Sequence, residues 1–170
     1  MRNLKVGDIM VRRLATVPPD ATLLQVRDIL AQVRFRHLPV VEDGRLVGIL
    51  SDRDVLRMVS PFMGTVNEQP RDVALMDRKV HQIMTRQPIC ATASIPLGDA
   101  VRTMYRRKIS ALPVVDPESR ALVGLLTWKD VVRAAMPSAF APVTDRETGE
   151  RDSARGYVRA AAASAPAEKR

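Results

Sequence analysis

A chain of 170 residues with one cysteine, two histidines and six aromatic side chains is short of the residue types on which most catalytic and metal chemistry rests. The lone Cys90 excludes an intramolecular disulfide and a thiolate cluster, and a small buried hydrophobe is its expected role. His37 has a basic neighbour and no second histidine near it in sequence, and His81 stands apart, so no metal site is expected. There is no Gly-x-Ser-x-Gly elbow, no His-Glu-x-x-His pair and no Gly-x-x-x-x-Gly-Lys loop, and Cys90 lacks a histidine partner; the inventory argues against an enzyme. Aromatics at 4% supply no RNA-stacking platform, and without a helix-turn-helix or zinc-finger pattern nucleic acid is disfavoured as a partner. No segment approaches the roughly 20 apolar residues of a membrane span, and Met1-Arg2-Asn3-Leu4-Lys5 has no apolar run behind its basic residues. A soluble, cytoplasmic protein without a membrane partner is the expectation.

What the chain does have is an internal repeat. Val6-Gly7-Asp8-Ile9-Met10 returns as Val80-His81-Gln82-Ile83-Met84, and Leu38-Pro39-Val40-Val41 as Leu112-Pro113-Val114-Val115, both at an offset of 74. Gly48-Ile49-Leu50-Ser51-Asp52-Arg53-Asp54 returns as Gly124-Leu125-Leu126-Thr127-Trp128-Lys129-Asp130 at an offset of 76. The two extra residues fall at Asp116-Pro117-Glu118-Ser119 against Glu42-Asp43-Gly44, a turn, where insertions are tolerated. The chain divides into a first copy at 1–60, a connector at 61–79, a second copy at 80–136 and a mobile Ala/Ser/Pro-rich tail at 137–170. A copy of about 55 residues is marginal alone, so the copies are expected to bury surface against each other. The net charge is +8, and the tail carries six basic and five acidic residues, so the excess lies in the repeated body. A phosphate-bearing ligand or an acidic partner suits that distribution better than a basic arm on DNA.

Each copy reads in the same order. Thr22 is a fair N-cap for an amphipathic helix carrying Leu23, Val26, Leu30 and Val33 and running to about Arg34; Leu97, Ala100, Val101 and Met104 match it. Leu38–Val41, the Glu42-Asp43-Gly44 turn and Leu46–Leu50 read as a hairpin of short, fully apolar, buried strands. Ser51 and Asp54, like Thr127 and Asp130, have capping-box spacing at the start of a second helix. Ala15–Pro18 and Ile89–Thr92 read as brief extended segments ahead of the first helices. The predicted order per copy is strand, helix, strand, strand, helix, and Arg71 to Val80 of the connector can form a short helix.

This ordered set, present twice from about Val6 to Ala135, resembles the CBS domain pair, or Bateman module, named after cystathionine β-synthase. The resemblance implies an α/β (α+β) fold of two β-α-β-β-α repeats packed about a pseudo-two-fold axis, and pairing of modules as a homodimer. It also implies clefts between the copies that bind AMP, ADP, ATP or S-adenosylmethionine, with no obligatory cofactor and with Mg²⁺ accompanying ATP where ATP is the ligand. A strand-to-helix junction supplies N–H groups for an anion and an Asp for ribose hydroxyls. By the family pattern, site A combines Thr16, Val17, Phe35, Arg36 and His37 with Thr127, Lys129 and Asp130. Phe35 faces adenine there, Thr127 and Asp130 hold the ribose, and Arg36, His37 and Lys129 meet phosphate. Site B combines Ala91, Thr92, Ile109, Ser110 and Ala111 with Ser51, Arg53 and Asp54; it keeps the ribose pair, lacks the Arg-His dipeptide and is the poorer cleft.

The leading expectation is a stand-alone regulatory module that binds an adenosine nucleotide and signals in trans to another protein. A ligand-free scaffold built on the dimer surface and an S-adenosylmethionine sensor are the alternatives. The two Ser/Thr-x-x-Asp motifs would serve as helix caps, each worth about 1 kcal/mol, even without a ligand.

Overall fold

The computed structural model describes residues 4–32, 36–60, 62–63 and 65–140. In chain order the elements are α1 (Val6–Ile9), α2 (Leu23–Gln32), β1 (His37–Glu42), β2 (Arg45–Ser51), α3 (Asp52–Leu56), α4 (Pro70–Ala74), β3 (Thr85–Arg86), α5 (Leu97–Arg107), β4 (Ala111–Val115), β5 (Leu122–Thr127) and α6 (Trp128–Ala135). Short 3-10 turns lie at Leu75–Asp77, Val80–Gln82 and Pro137–Phe140. The fold is mixed α/β, with antiparallel sheets of order β1-β2-β3 and β4-β5.

The helix starts follow from local chemistry. Thr22 caps α2: its N–H donates to Gln25 Oε1 at 2.9 Å, and the Gln25 N–H donates back to Thr22 Oγ1 at 3.3 Å. Pro70 opens α4 at a position where a missing N–H costs nothing, and buried Asp72 accepts from the Gln69 N–H at 2.9 Å. Lys108 ends α5 in the left-handed region at φ 53°, its N–H returning to the last carbonyls of the helix.

Two expectations are corrected. The strand ahead of the first helix in each copy is reduced to one parallel bridge, Val17 to Val40 and Ala91 to Val114. Val17 donates to Pro39 O and accepts from the Val41 N–H at 3.1 and 3.0 Å, after which Pro18 offers no donor and Pro19-Asp20 turn away. Ala91 makes the same pair of bonds with Pro113 and Val115, at 2.8 and 2.9 Å, before a turn at Ala93-Ser94. Both hairpins shift register at that point, between Val40 and Val41 and between Val114 and Val115, because these N–H groups serve the incoming segment. In addition, β2 is not buried throughout: Leu46, Gly48 and Leu50 face inward and their neighbours are half-exposed, whereas β4 is buried along its whole length.

The cores are exchanged between the copies. Val17, Leu23, Val26, Leu38, Val40, Leu50 and Val55 close around Val80, with Ile83 and Met84 packed against them. Leu97, Ala100, Met104, Leu112, Val114, Leu126 and Val131 close around Val6 and Met10. Each copy therefore begins inside the core of the other, and Val6 and Val80 are both fully buried. Backbone bonds hold the exchange: Val6 N–H to Ile95 O at 3.1 Å and Gly7 N–H to Ala93 O at 2.9 Å on one side, Val80 N–H to Ala21 O and His81 N–H to Pro19 O, each 2.9 Å, on the other. Val11 and Leu125 exchange two bonds of 2.9 Å, and in the other copy β3 pairs antiparallel with β2 at Gly48 and Ile49. Met84 lies on Gly48 and Met10 on Gly124, so a Cβ at either glycine would overlap the methionine sulfur and force that side chain to shift. This is the physical answer to two marginal halves: each apolar face is completed by the other's leading segment. No helix among the described residues is long and apolar enough to cross a membrane.

Candidate functional site

The two strand-to-helix junctions are built alike. At β2–α3 the Ser51 N–H and Oγ–H donate to Asp54 Oδ2 at 2.9 and 2.6 Å, and the Asp54 N–H donates to Ser51 Oγ at 3.3 Å. At β5–α6 the Thr127 N–H and Oγ1–H donate to Asp130 Oδ2 at 2.9 and 2.5 Å. The four bonds that the two carboxylates accept all fall on Oδ2. Among the described residues no hydrogen bond falls on Oδ1 of Asp54 or of Asp130. The motif is thus a helix cap with one carboxylate oxygen left over, the acceptor a ribose diol needs.

A further pair of bonds fastens each pre-strand residue to its own junction. The Asp52 N–H donates to Arg36 O at 3.0 Å, and the equivalent Trp128 N–H donates to Ser110 O at 3.3 Å. Arg36 Nε also lies 4.0 Å from Asp52 Oδ2. Between the copies, His37 Nε2 and Ser110 Oγ are 3.1 Å apart, so the starts of β1 and β4 meet at the pseudo-two-fold axis. Burial pushes the His37 imidazole below its ordinary range; Asp52 and Asp54 oppose that, and Arg53 and Arg36 reinforce it.

The residues of site A separate into distinct surroundings. Val17 is a core side chain, and Thr16 beside it and Lys129 are exposed. Phe35 lies outside the described residues. Asp130 is buried but for 6%. Among the described residues no hydrogen bond or ion pair joins Arg36 or His37 to Thr127, Lys129 or Asp130; their contacts run to Asp52 and Ser110. Of site B, Ala91 and Ala111 are buried, Ile109 packs on the second core, Thr92 Oγ1 is 3.1 Å from Ser94 Oγ, and Ser110 and Arg53 are exposed. The structure thus brings Ser110 of site B to His37 of site A.

Sequence reasoning missed Asp52 and Trp128 as organisers of this region. The signal available was their shared place in the repeat, directly after the junction hydroxyl. The Trp128 indole N–H donates to Ile109 O at 3.2 Å, which locks the pre-strand segment from within the same chain. Cys90 is half-buried, with Sγ 3.1 Å from Pro88 O, and burial pushes its thiol pKa up, with Arg120 opposing. No group of three or more His, Cys, Asp or Glu side chains among the described residues is placed to hold a metal ion.

The CBS domain family model matches residues 6–61 and 80–137. Among solved structures, CBSX2 from Arabidopsis thaliana in complex with AMP is 33% identical, with a TM-score of 0.67 over 81% of this chain and 99% of that one. The CBS domain pair of protein MJ0100, in complex with 5'-methylthioadenosine and S-adenosyl-L-methionine, is 27% identical, with a TM-score of 0.65 over 79% of this chain and 97% of that one. Homoserine O-acetyltransferase of Methanococcoides burtonii is 33% identical over 134 residues, 78% of this chain. Inosine-5'-monophosphate dehydrogenase of Mycobacterium bovis is 39% identical over 126 residues, 73% of this chain. The chain spans only 24% and 21% of the length of those two enzymes. With both copies matched, and with solved pairs overlaying about four-fifths of its length, the chain belongs to the CBS domain family.

Proposed function

We propose that this CBS pair is a non-catalytic, cytoplasmic regulatory module that binds an adenosine nucleotide between its copies and transmits the binding to a partner protein. The observation that carries the reading is the convergence at the pseudo-two-fold axis of Asp54 Oδ1, the Ser110 hydroxyl, and the cations Arg36 and Arg53 beside His37. Asp54 is the ribose acceptor, Ser110 and Thr92 are neutral donors, and Arg36, His37 and Arg53 meet phosphate. The bond from the Asp52 N–H to Arg36 O and the 3.1 Å approach of His37 to Ser110 support placing the cation dipeptide at the cleft of Ser51, Arg53 and Asp54, where the family pattern grouped it with Thr127, Lys129 and Asp130. The second cleft, around Thr16, Thr127, Lys129 and Asp130, then takes a ligand with less phosphate. AMP bound to CBSX2 supports the ligand class; S-adenosylmethionine on MJ0100 supports a sulfonium nucleoside as the second reading. Leu56, Val132, Met136 and Phe140 expose apolar surface on and after α3 and α6, which suits a homodimer or the regulated partner.

The test is isothermal titration with AMP, ADP, ATP (with Mg²⁺) and S-adenosylmethionine at low and moderate salt. Saturable binding is expected for a phosphate-bearing nucleotide. Asp54→Ala should weaken it at least tenfold, the loss of about one charged hydrogen bond, and Asp130→Ala should spare that event. Absence of binding to all four would leave the dimer-surface scaffold as the function.

A further inference from the structure

At the other end of the hairpins, about 17 Å from His37 along five residues of strand, the tips of the two copies meet over a groove of about 620 Å³. The Leu46 N–H approaches Arg120 O at 3.4 Å, and Arg45 bridges Ala121. Leu46, Val47 and Met84 give the groove an apolar side, while Asp20 and Glu42 line it together with Arg86 and Arg120. Among the described residues none of these four charges is in an ion pair, although both signs surround one space.

The repeat separates structural charges from the rest. Arg86 Nη2 donates to His81 O at 2.8 Å, and its counterpart Arg12 donates to Gly7 O at 2.8 Å, so this arginine is a feature of the fold in both copies. The remaining charges have no such duplicate. The counterpart of Asp20 is Ser94, and that of Arg120 is Gly44. The counterpart of Glu42 is Asp116, whose Oδ1 is occupied by the Glu118 and Ser119 N–H groups and the Ser119 hydroxyl. Arg120 stands at φ 62°, where the first copy uses Gly44 at φ 78°, so a bulky cation occupies a position that glycine fills more easily. The inserted turn is what delivers it over the groove.

We propose that this groove binds a zwitterion of the amino-acid type with an apolar side chain. Its carboxylate pairs with Arg120 and the remaining N–H groups of Arg86, its ammonium with Asp20 and Glu42, and its side chain covers Leu46, Val47 and Met84. A simple anion would meet the two carboxylates, and a simple cation the two guanidiniums; a ligand carrying both charges satisfies both pairs. The proposal is independent of the nucleotide reading, since the two sites share no residue.

The experiment is a ¹H–¹⁵N NMR titration of the full chain with L-leucine, and in parallel with N-acetyl-L-leucine, which lacks the ammonium, and L-leucinamide, which lacks the carboxylate. Saturable shifts at the amides of Leu46, Val47 and Arg120 are expected with L-leucine while those of His37 and Ser110 stay in place, and each derivative should bind at least about tenfold more weakly. Arg120→Gly should abolish the response without lowering the thermal midpoint, because glycine suits that φ. No saturable shift at these amides with millimolar L-leucine overturns the proposal, as does an equal response to the derivatives or a response centred on His37 and Ser110.

Discussion

Val6→Ala tests the exchanged cores most directly. Val6 is fully buried among residues of the second copy, in the cluster that holds Leu97, Leu112 and Leu126. Removing two carbon groups forfeits roughly 1.6 kcal/mol of transfer free energy at about 0.8 kcal/mol each. The cavity left in a packed core raises this to about 2–3 kcal/mol, a large share of a total stability of roughly 5–15 kcal/mol. Urea unfolding followed by fluorescence of Trp128, the one tryptophan, which packs on the same cluster, reads the loss. Double-mutant cycles then locate it. Val6→Ala combined with Leu97→Ala should be non-additive by at least about 0.5 kcal/mol, whereas Val6→Ala with Leu23→Ala should add. Leu97 shares the core of Val6, and its backbone N–H bonds to Leu4 O at 2.8 Å. Leu23 is the near neighbour in sequence but lies in the other core, with Val80. Coupling to Leu23 and additivity with Leu97 would refute the exchange.

Gly124→Ala should cost about 1–3 kcal/mol in chemical denaturation, since the new methyl overlaps Met10 Sδ. The Met10→Ala/Gly124→Ala double variant should cost less than the sum of the single ones. Asp130→Ala should lower stability by about 1–2 kcal/mol through the loss of the cap on α6, detectable as a lower thermal midpoint without ligand, and Asp130→Asn should recover part of it. His37 gives a pH signature. Burial holds its folded-state pKa below the ordinary 6.5, so its contribution to stability is present above that value and is lost as pH falls through the lower folded value. His37→Gln should therefore flatten the slope of unfolding free energy between about pH 7 and about pH 5, and an unchanged slope would contradict the burial assigned to the ring.

The elements and their duplication were legible in the amino-acid sequence, because the features that specify them are local. Thr22, Ser51 and Thr127 act within three residues along the chain, and the Leu-Pro-Val-Val runs pair through short turns. The hydroxyl–carboxylate pairs of the candidate site were legible for the same reason. The partition of the cores was not: Val6 reads as apolar in either copy, and only the backbone bonds to Ala93 and Ile95 send it into the second. The placement of Arg36 and His37 likewise depended on long-range contacts, 3.1 Å from His37 to Ser110 across 73 residues of chain. No periodicity encodes such a contact. Burial of two incomplete apolar faces, each too small to stand alone, decided which segments meet, and with them which charges share a cleft.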